Sequence, residues 1–339
     1  MIVYLNTDSG IEYVDATPKK VKHVDILVQG AIYNHRTVID AYAGGGNIET
    51  AIVNMYMKHG FRYAMFMLDG EFTVVLYDRA SNEVYASRDA YGLCFLSVIP
   101  PIIGSSTWVI TDKNTMVKPM MIGTYSMLYL DEHSGVWKLV NAEERYHSIP
   151  LYSRKIVKTP LSLTALSFHY FQYLKHAIQK RIVPNKTYYL NYDASRDMQC
   201  FMISWVVFQL YPSMNFSIYV NDYTEVSSQW HEVFGEKIRM YSLNYDNNTT
   251  VEISAEDILI ANQAGEDESG LLYEIRKRIE LYNGLPHRVG HINSIRPFMD
   301  AALIDFYLKE VPTEMRMSNA LFREDDSMLV LLPYMLCRV

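Results

Sequence analysis

From Thr187 to Asn244 the chain alternates short β-branched runs with long apolar helical ones. Strand "TYYLNYD" (187–193) is followed by helix "SRDMQCFMISWVVFQLY" (195–211), strand "NFSIYVND" (215–222), helix "VSSQWHEVFG" (226–235) and strand "IRMYSLN" (238–244). Few folds accept that rhythm. Parallel strands need a long crossover, and a helix supplies it, so βαβαβ predicts a parallel, doubly wound sheet. A long helix with a continuous apolar stripe, "SLTALSFHYFQYLKHAIQKRI" (162–182), precedes it, and helices "LLYEIRKRIELY" (271–282) and "DAALIDFYLKEV" (300–311) follow.

The first half is patterned differently. "IVYLN", "VDILVQG", "FTVVLYD", "EVYASRD" and "STWVITD" are short, β-branched and bounded by turn residues. "RASNE" reads as a hairpin turn with Ser81-Asn82 at its tip. "NIETAIVNMYMKHG" has helical period, with Ile48, Ala51, Ile52, Met55 and Tyr56 on one face and Gly60 in the C-cap position. A strand pair, "GTYSMLYLDEHSGVWKLV", closes the half around the turn "DEHSG". The change of pattern near residues 147–160 divides the chain into two expected domains, 1–150 and 155–339. The fold class expected is therefore α+β followed by α/β.

Composition excludes several classes of function. The net charge of −7, with no run of Lys and Arg, argues against binding to a nucleic-acid backbone. No apolar run approaches the roughly 18 residues of a membrane helix, and the first residues lack the pattern of a signal peptide. Cys94, Cys200 and Cys337 lie far apart with no C-x-x-C spacing, so they are expected to be packing residues in a reducing compartment. His287 and His291 are four apart, but Gly290 interrupts a helix there, and no metal site is expected. Trp108, Trp137, Trp205 and Trp230 are expected in the core or between domains. The 27 tyrosines and 18 methionines suit irregular packing and contact surfaces.

Longer motifs carry a specific resemblance. "LVQGAIYNH" (27–35) and the stretch from His59 to Leu96 resemble the class II glutamine amidotransferase domain of asparagine synthetases, through Leu68, Gly70, Phe72, Tyr77, Asp78, Arg88, Asp89 and Gly92. "IRPFMDAALIDFYLKEVPTEMRM" resembles a segment of the same family's second domain, through Arg296, Pro297, Phe298, Asp300, Pro312, Glu314, Met315 and Arg316. The resemblance implies an N-terminal amidotransferase-type (Ntn) αββα sandwich and a C-terminal PP-loop, ATP-pyrophosphatase-type doubly wound α/β domain, both shortened. It also implies two chemistries: glutamine hydrolysis by an N-terminal cysteine, and ATP-dependent activation of a carboxylate.

The residues that such chemistry needs are replaced. Ile2 stands where the resemblance expects the nucleophilic cysteine. Gln29, before Gly30, replaces the asparagine of the oxyanion site, and Asn34 completes that segment. The arginine segment that grips the substrate carboxylate has no counterpart between Asp8 and Leu27. The aspartate that grips the glutamine ammonium falls on Asn47 or Ile48, with Glu49 one position off. The glycine-rich phosphate loop becomes Leu190-Asn191-Tyr192-Asp193-Ala194-Ser195, without glycine. Gly265, Glu266, Asp267 and Glu268 keep part of a second ATP-site loop, and Asn319, four residues before Arg323 of the closing segment, stands in place of the family's lysine. No catalytic residue, metal or cofactor is therefore expected. The function implied is that of a pseudoenzyme acting through protein partners, as a binding or structural subunit of a homo- or hetero-oligomer, in the cytoplasm or within an assembled particle such as a virion. The competing reading is an amidating enzyme of the asparagine or β-lactam synthetase type. It would use ammonia, and ATP and Mg would be its cofactors.

Overall fold

The computed structural model describes residues 1–6, 10–103, 105–113, 117–148, 161–183, 185–193, 197–220, 228–240, 250–253 and 294–312. These residues form two compact units, one made by Met1–Ser148 and one by the described residues from Leu161 onward.

The first unit contains β1 (Ile2–Asn6), β2 (Gly10–Val14), β3 (Lys19–Val21), β4 (Val24–Ile32), α1 (His35–Tyr42), α2 (Ile48–His59), α3 (Phe61–Phe66), β5 (Gly70–Asp78), β6 (Glu83–Arg88), β7 (Ser97–Ile99), β8 (Trp108–Thr111), β9 (Thr124–Asp131) and β10 (Val136–Arg145). They make a four-stranded sheet, β2-β1-β8-β7, and a six-stranded sheet, β10-β9-β6-β5-β4-β3, antiparallel throughout. Alternation sorts the strand side chains into two cores. Val3, Leu5, Leu27, Val75, Ala86, Ile110 and Trp137 fill the space between the sheets. Ile26, Phe72, Val74 and Leu76 point the other way, against Val38, Ala51, Ile52, Met55, Phe61 and Met65 of the three helices. The order of layers among the described residues is thus α-β-β. The second helical layer of the expected αββα sandwich is not among them.

Helix α2 starts where its sequence says it should. Asn47 is extended, and its side chain accepts a hydrogen bond from the Thr50 N–H, while Gly60 closes the helix at φ +87°. Asp78 ties that helix to the β5–β6 hairpin. It accepts from the Tyr56 hydroxyl at 2.9 Å and from the Ala80 N–H at 2.8 Å.

The second unit contains α4 (Leu163–Gln179), β11 (Thr187–Asn191), α5 (Asp197–Leu210), β12 (Phe216–Val220), α6 (Ser228–Phe234), β13 (Ile238–Met240), β14 (Thr250–Ile253), β15 (Ser294–Ile295) and α7 (Ala301–Glu310). The five strands are all parallel, in the order β13-β12-β11-β14-β15. The chain runs outward from β11 on both sides, as the βαβαβ rhythm requires. Trp230 and Phe234 of α6 pack on Phe201 of α5 with ring centroids 5.2–5.3 Å apart. Trp137, Trp205 and Trp230 are buried, as expected of them.

Candidate functional site

Strand β4 does not stop at Gly30. It pairs with β5 residue for residue as far as Ile32 opposite Gly70. Beyond it the backbone turns into α1 and is fastened to the start of β5. The Tyr33 N–H donates to the Asp69 carbonyl at 2.7 Å, and the Tyr33 hydroxyl to Glu71 Oε1 at 2.8 Å. Asn34 donates through Nδ2 to the Met67 carbonyl at 2.8 Å and accepts the Asp69 N–H at 3.0 Å. Both ends of its amide are thus used to close the turn. Gln29 differs. It lies two residues beyond Leu27 along β4, so it shares the face between the sheets, opposite Thr73, which lies opposite Arg88. Thr73 is buried there, and its hydroxyl has no hydrogen-bond partner.

The other sequence-singled positions of this unit are also occupied by folding tasks. Asn47 Oδ1 accepts from the Thr50 N–H at 2.9 Å and the Thr50 hydroxyl at 2.7 Å. Glu49 sits in the first turn of α2, where a carboxylate complements the helix dipole. Ile2 is the first residue of β1, paired with Val14 and Thr111. Neither Ile2 nor its ladder partners carries a thiol. Cys94 is half-buried after the "RDAYG" turn, and Cys200 is buried.

That turn is the most polar buried feature of the unit. Asp89 accepts backbone N–H groups from Tyr91 (3.2 Å), Leu93 (2.9 Å) and Cys94 (2.9 Å). Arg88, equally buried, donates to the carbonyls of Met120 and Gly92, and the Tyr146 hydroxyl donates to the Arg88 carbonyl. Gly92 has φ +64°, and a Cβ there would fall within 2.5–2.7 Å of the Arg88 guanidinium. Arg88, Asp89 and Gly92 therefore build the loop together. Burial pushes the Asp89 carboxyl up to about 6, against the opposing pull of Arg88 and the backbone donors. A pKa raised by folding adds stability below the unfolded value and loses it as pH rises through the folded one. Urea unfolding should therefore show a contribution of about 3 kcal/mol that is complete only below the unfolded pKa, near 4, and gone above about pH 7. The Asp89→Asn chain should lack that decline.

In the second unit the strand order reverses at β11 and β14, and the crevice at their carboxyl ends is where such sheets bind ligands. Asn191 and Glu252 meet there, Nδ2 to Oε1 at 2.9 Å. Tyr192, just beyond β11, donates its N–H to the Tyr219 carbonyl and lies edge-on to Trp230 at 5.1 Å. Asp193 follows. The Asn191–Glu252 bond lies at the carboxyl end of the β11–β14 pair, while the Tyr192 ring packs on Trp230 of α6. Ser195, Gly265, Glu266, Asp267, Glu268 and Asn319 lie outside the described residues, as do His287 and His291. Among the described residues no group of His, Cys, Asp and Glu could hold a metal ion.

Sequence reading did not single out Glu252, because nothing local marks it. It also took Asp300 only as part of a motif. Asp300 is buried and meets Arg181 at 2.7 Å and Lys180 at 2.5 Å, while its Oδ1 caps α7 through the Ala302 and Leu303 N–H groups. Burial alone would raise its pKa, but the charges of Arg181 and Lys180 outweigh that and hold it below the usual carboxylate value.

Comparison with known proteins places this geometry. Residues 16–109 match a family described as a glutamine amidotransferase domain. Asparagine synthetase [glutamine-hydrolyzing] 2 of Arabidopsis thaliana is 26% identical over 147 residues, 41% of this chain and 24% of that protein. The human asparagine synthetase [glutamine-hydrolyzing] is 27% identical over 156 residues, 40% of this chain and 27% of that protein. The Sandersonia aurantiaca asparagine synthetase [glutamine-hydrolyzing] is 35% identical over 97 residues, 26% of this chain and 17% of that protein. The chain thus spans about a quarter or less of the length of these curated relatives. By residues 16–109 the chain is similar to a glutamine amidotransferase domain, and by its N-terminal region to asparagine synthetases.

Proposed function

We propose that the protein is an asparagine synthetase-like pseudoenzyme, without glutaminase or ATP-dependent synthetase activity, that works as a binding or structural subunit of a protein assembly, of which a virus particle is one form. One observation carries the reading. The polar residues at the relatives' reaction positions are spent on the fold: Asn34 closes the β4–α1 turn and Asn47 caps α2. Ile2 has no nucleophile to offer. The loop-building residues Arg88, Asp89 and Gly92 are kept. The second unit is read in the same terms, as a degenerate PP-loop-type domain. Its strand order supports the fold, and the absence of glycine from Leu190 to Ser195 argues against phosphate.

Two outcomes follow. Incubation with glutamine should release no glutamate above a heat-denatured control, and Ile2→Cys should not restore release, since the sequence lacks counterparts of the arginine segment and the aspartate that the resemblance assigns to gripping the substrate. Turnover by the unaltered chain would overturn the reading. Millimolar Mg-ATP should leave the melting temperature unchanged. A ligand at 100 times its dissociation constant would add about 2.7 kcal/mol. A clear rise in melting temperature would put the ammonia-using amidating enzyme, with ATP and Mg as cofactors, in first place.

A further inference from the structure

We propose that a cleft at the amino ends of β11 and β12 binds a small organic anion, a monocarboxylate with an apolar tail. The cleft lies at the end of the parallel sheet opposite to the crevice described above, so the inference goes beyond the pseudoenzyme reading and does not depend on it.

Two loops form the cleft, one joining α4 to β11 and the other α5 to β12. Hydrogen bonds hold them in place. The Tyr188 N–H donates to the Asn215 carbonyl at 2.8 Å, and Asn215 Nδ2 to Thr187 Oγ1 at 3.2 Å. The Tyr188 hydroxyl accepts the Val183 N–H at 2.7 Å, and the Met214 N–H closes a turn on the Tyr211 carbonyl at 2.9 Å. The space between the loops is about 490 Å³, within the roughly 300–1,000 Å³ of small-molecule sites. Its polar groups are unused. The Asn185 amide, the Lys186 ammonium and the hydroxyls of Tyr211 and Ser213 line it, and none of them has a hydrogen bond or ion pair among the described residues.

Charge selects among ligands. Among the described residues of the lining Lys186 is the one that is charged, and none is Asp or Glu, in a chain with 38 acidic residues. Free carbonyls at the ends of α4 and α5 would favour a cation. Those of Ile178 and Val207 are already taken, the first by the Arg181 and Ile182 N–H groups and the second by the Tyr211 N–H. An ammonium in the company of an amide and two hydroxyls therefore favours a carboxylate, which accepts charge-assisted bonds from such donors. A single cation suits one negative charge better than the two of a phosphate. The apolar wall sets the rest of the ligand. Val183 is 51% exposed, and the half-buried Met214 lines the same cleft. A tail of about five carbons would withdraw both from water.

Methyl NMR of the full chain, titrated with hexanoate, tests this. Hexanoate should shift the Val183 and Met214 methyl signals and saturate with a dissociation constant on the order of 1 mM, the strength open to so small a ligand. Acetate, without the tail, and hexanamide, without the charge, should each bind about tenfold more weakly. Lys186→Gln should weaken hexanoate binding by about tenfold, and Lys186→Arg should keep it. Lys186 is exposed, so neither variant should change the melting temperature. Signals that do not saturate by about 50 mM overturn the proposal. So does hexanamide or hexylammonium that binds as well as hexanoate, a Lys186→Gln chain that binds unchanged, or inorganic phosphate that displaces hexanoate at equal concentration. The pseudoenzyme reading stands or falls separately, on the glutamine and Mg-ATP assays.

Discussion

Replacing Asp300 by alanine should destabilise the second unit by about 3–5 kcal/mol, the range found when one partner of a buried ion pair is removed. The size follows from what the carboxylate does. One oxygen neutralises the buried Arg181 guanidinium at 2.7 Å and the Lys180 ammonium at 2.5 Å. The other caps α7 at Ala302 and Leu303. Alanine leaves the Arg181 charge buried without its carboxylate and takes the cap away. Asp300→Asn separates the two contributions. It keeps an oxygen for the cap, worth about 1 kcal/mol, and loses only the charge. Urea unfolding of the three chains should therefore rank them unaltered, Asn, Ala. The acid limb has a definite sign. The folded carboxyl titrates below its ordinary value, so its contribution is present above the unfolded pKa, near 4, and is lost as pH falls through the folded one. Asp300→Ala should flatten that limb. A cost below about 1 kcal/mol would mean that the cluster does not hold α7 in place.

The sequence signals that survive in the structure are those with a local cause. Helix Ile48–His59 was legible because its cap, its period and its closing glycine lie within fourteen residues. The parallel sheet was legible because alternating strands and helices leave few other solutions. Elements without a period escaped notice. β3 and β7 have three residues each, and α3 has six, starting directly after Gly60. The site was less legible than the fold, since a side chain's role depends on who meets it. Asn34 and Asn47 read as residues of a vestigial pocket, and the structure shows what each holds: the β4–α1 turn and the start of α2. Asp300 reads as a motif letter, while its partners Lys180 and Arg181 stand far upstream, Arg181 by 119 positions. No local pattern announces a contact at that separation.

Gly30→Ala should cost the first unit about 3 kcal/mol or more. Gly30 has φ +94°, and an added Cβ would lie 2.1 Å from the Glu71 carbonyl oxygen. Gly70 is the other half of the same crossing, where a Cβ would lie 2.2 Å from the Ala31 carbonyl oxygen. Backbone cannot retreat as a flexible side chain can, so the β4–β5 ladder must shift. The ladder runs straight into the Tyr33–Asp69 and Asn34–Asp69 fastenings. Gly135→Ala is the control. Its φ is +65°, but nothing lies within 4 Å of the new Cβ, so it should cost only the backbone strain, about 1 kcal/mol. Thermal or urea unfolding of the two variants isolates the close approach. Amide exchange should quicken at the Gly30 end of the ladder in the first variant only. If the two variants unfold alike, the fold does not need Gly30, and its presence beside Gln29 would point back to a ligand pocket between the sheets. If they differ as expected, the close approach of β4 to β5 is by itself a reason for glycine at position 30, and its presence is no argument for glutamine hydrolysis.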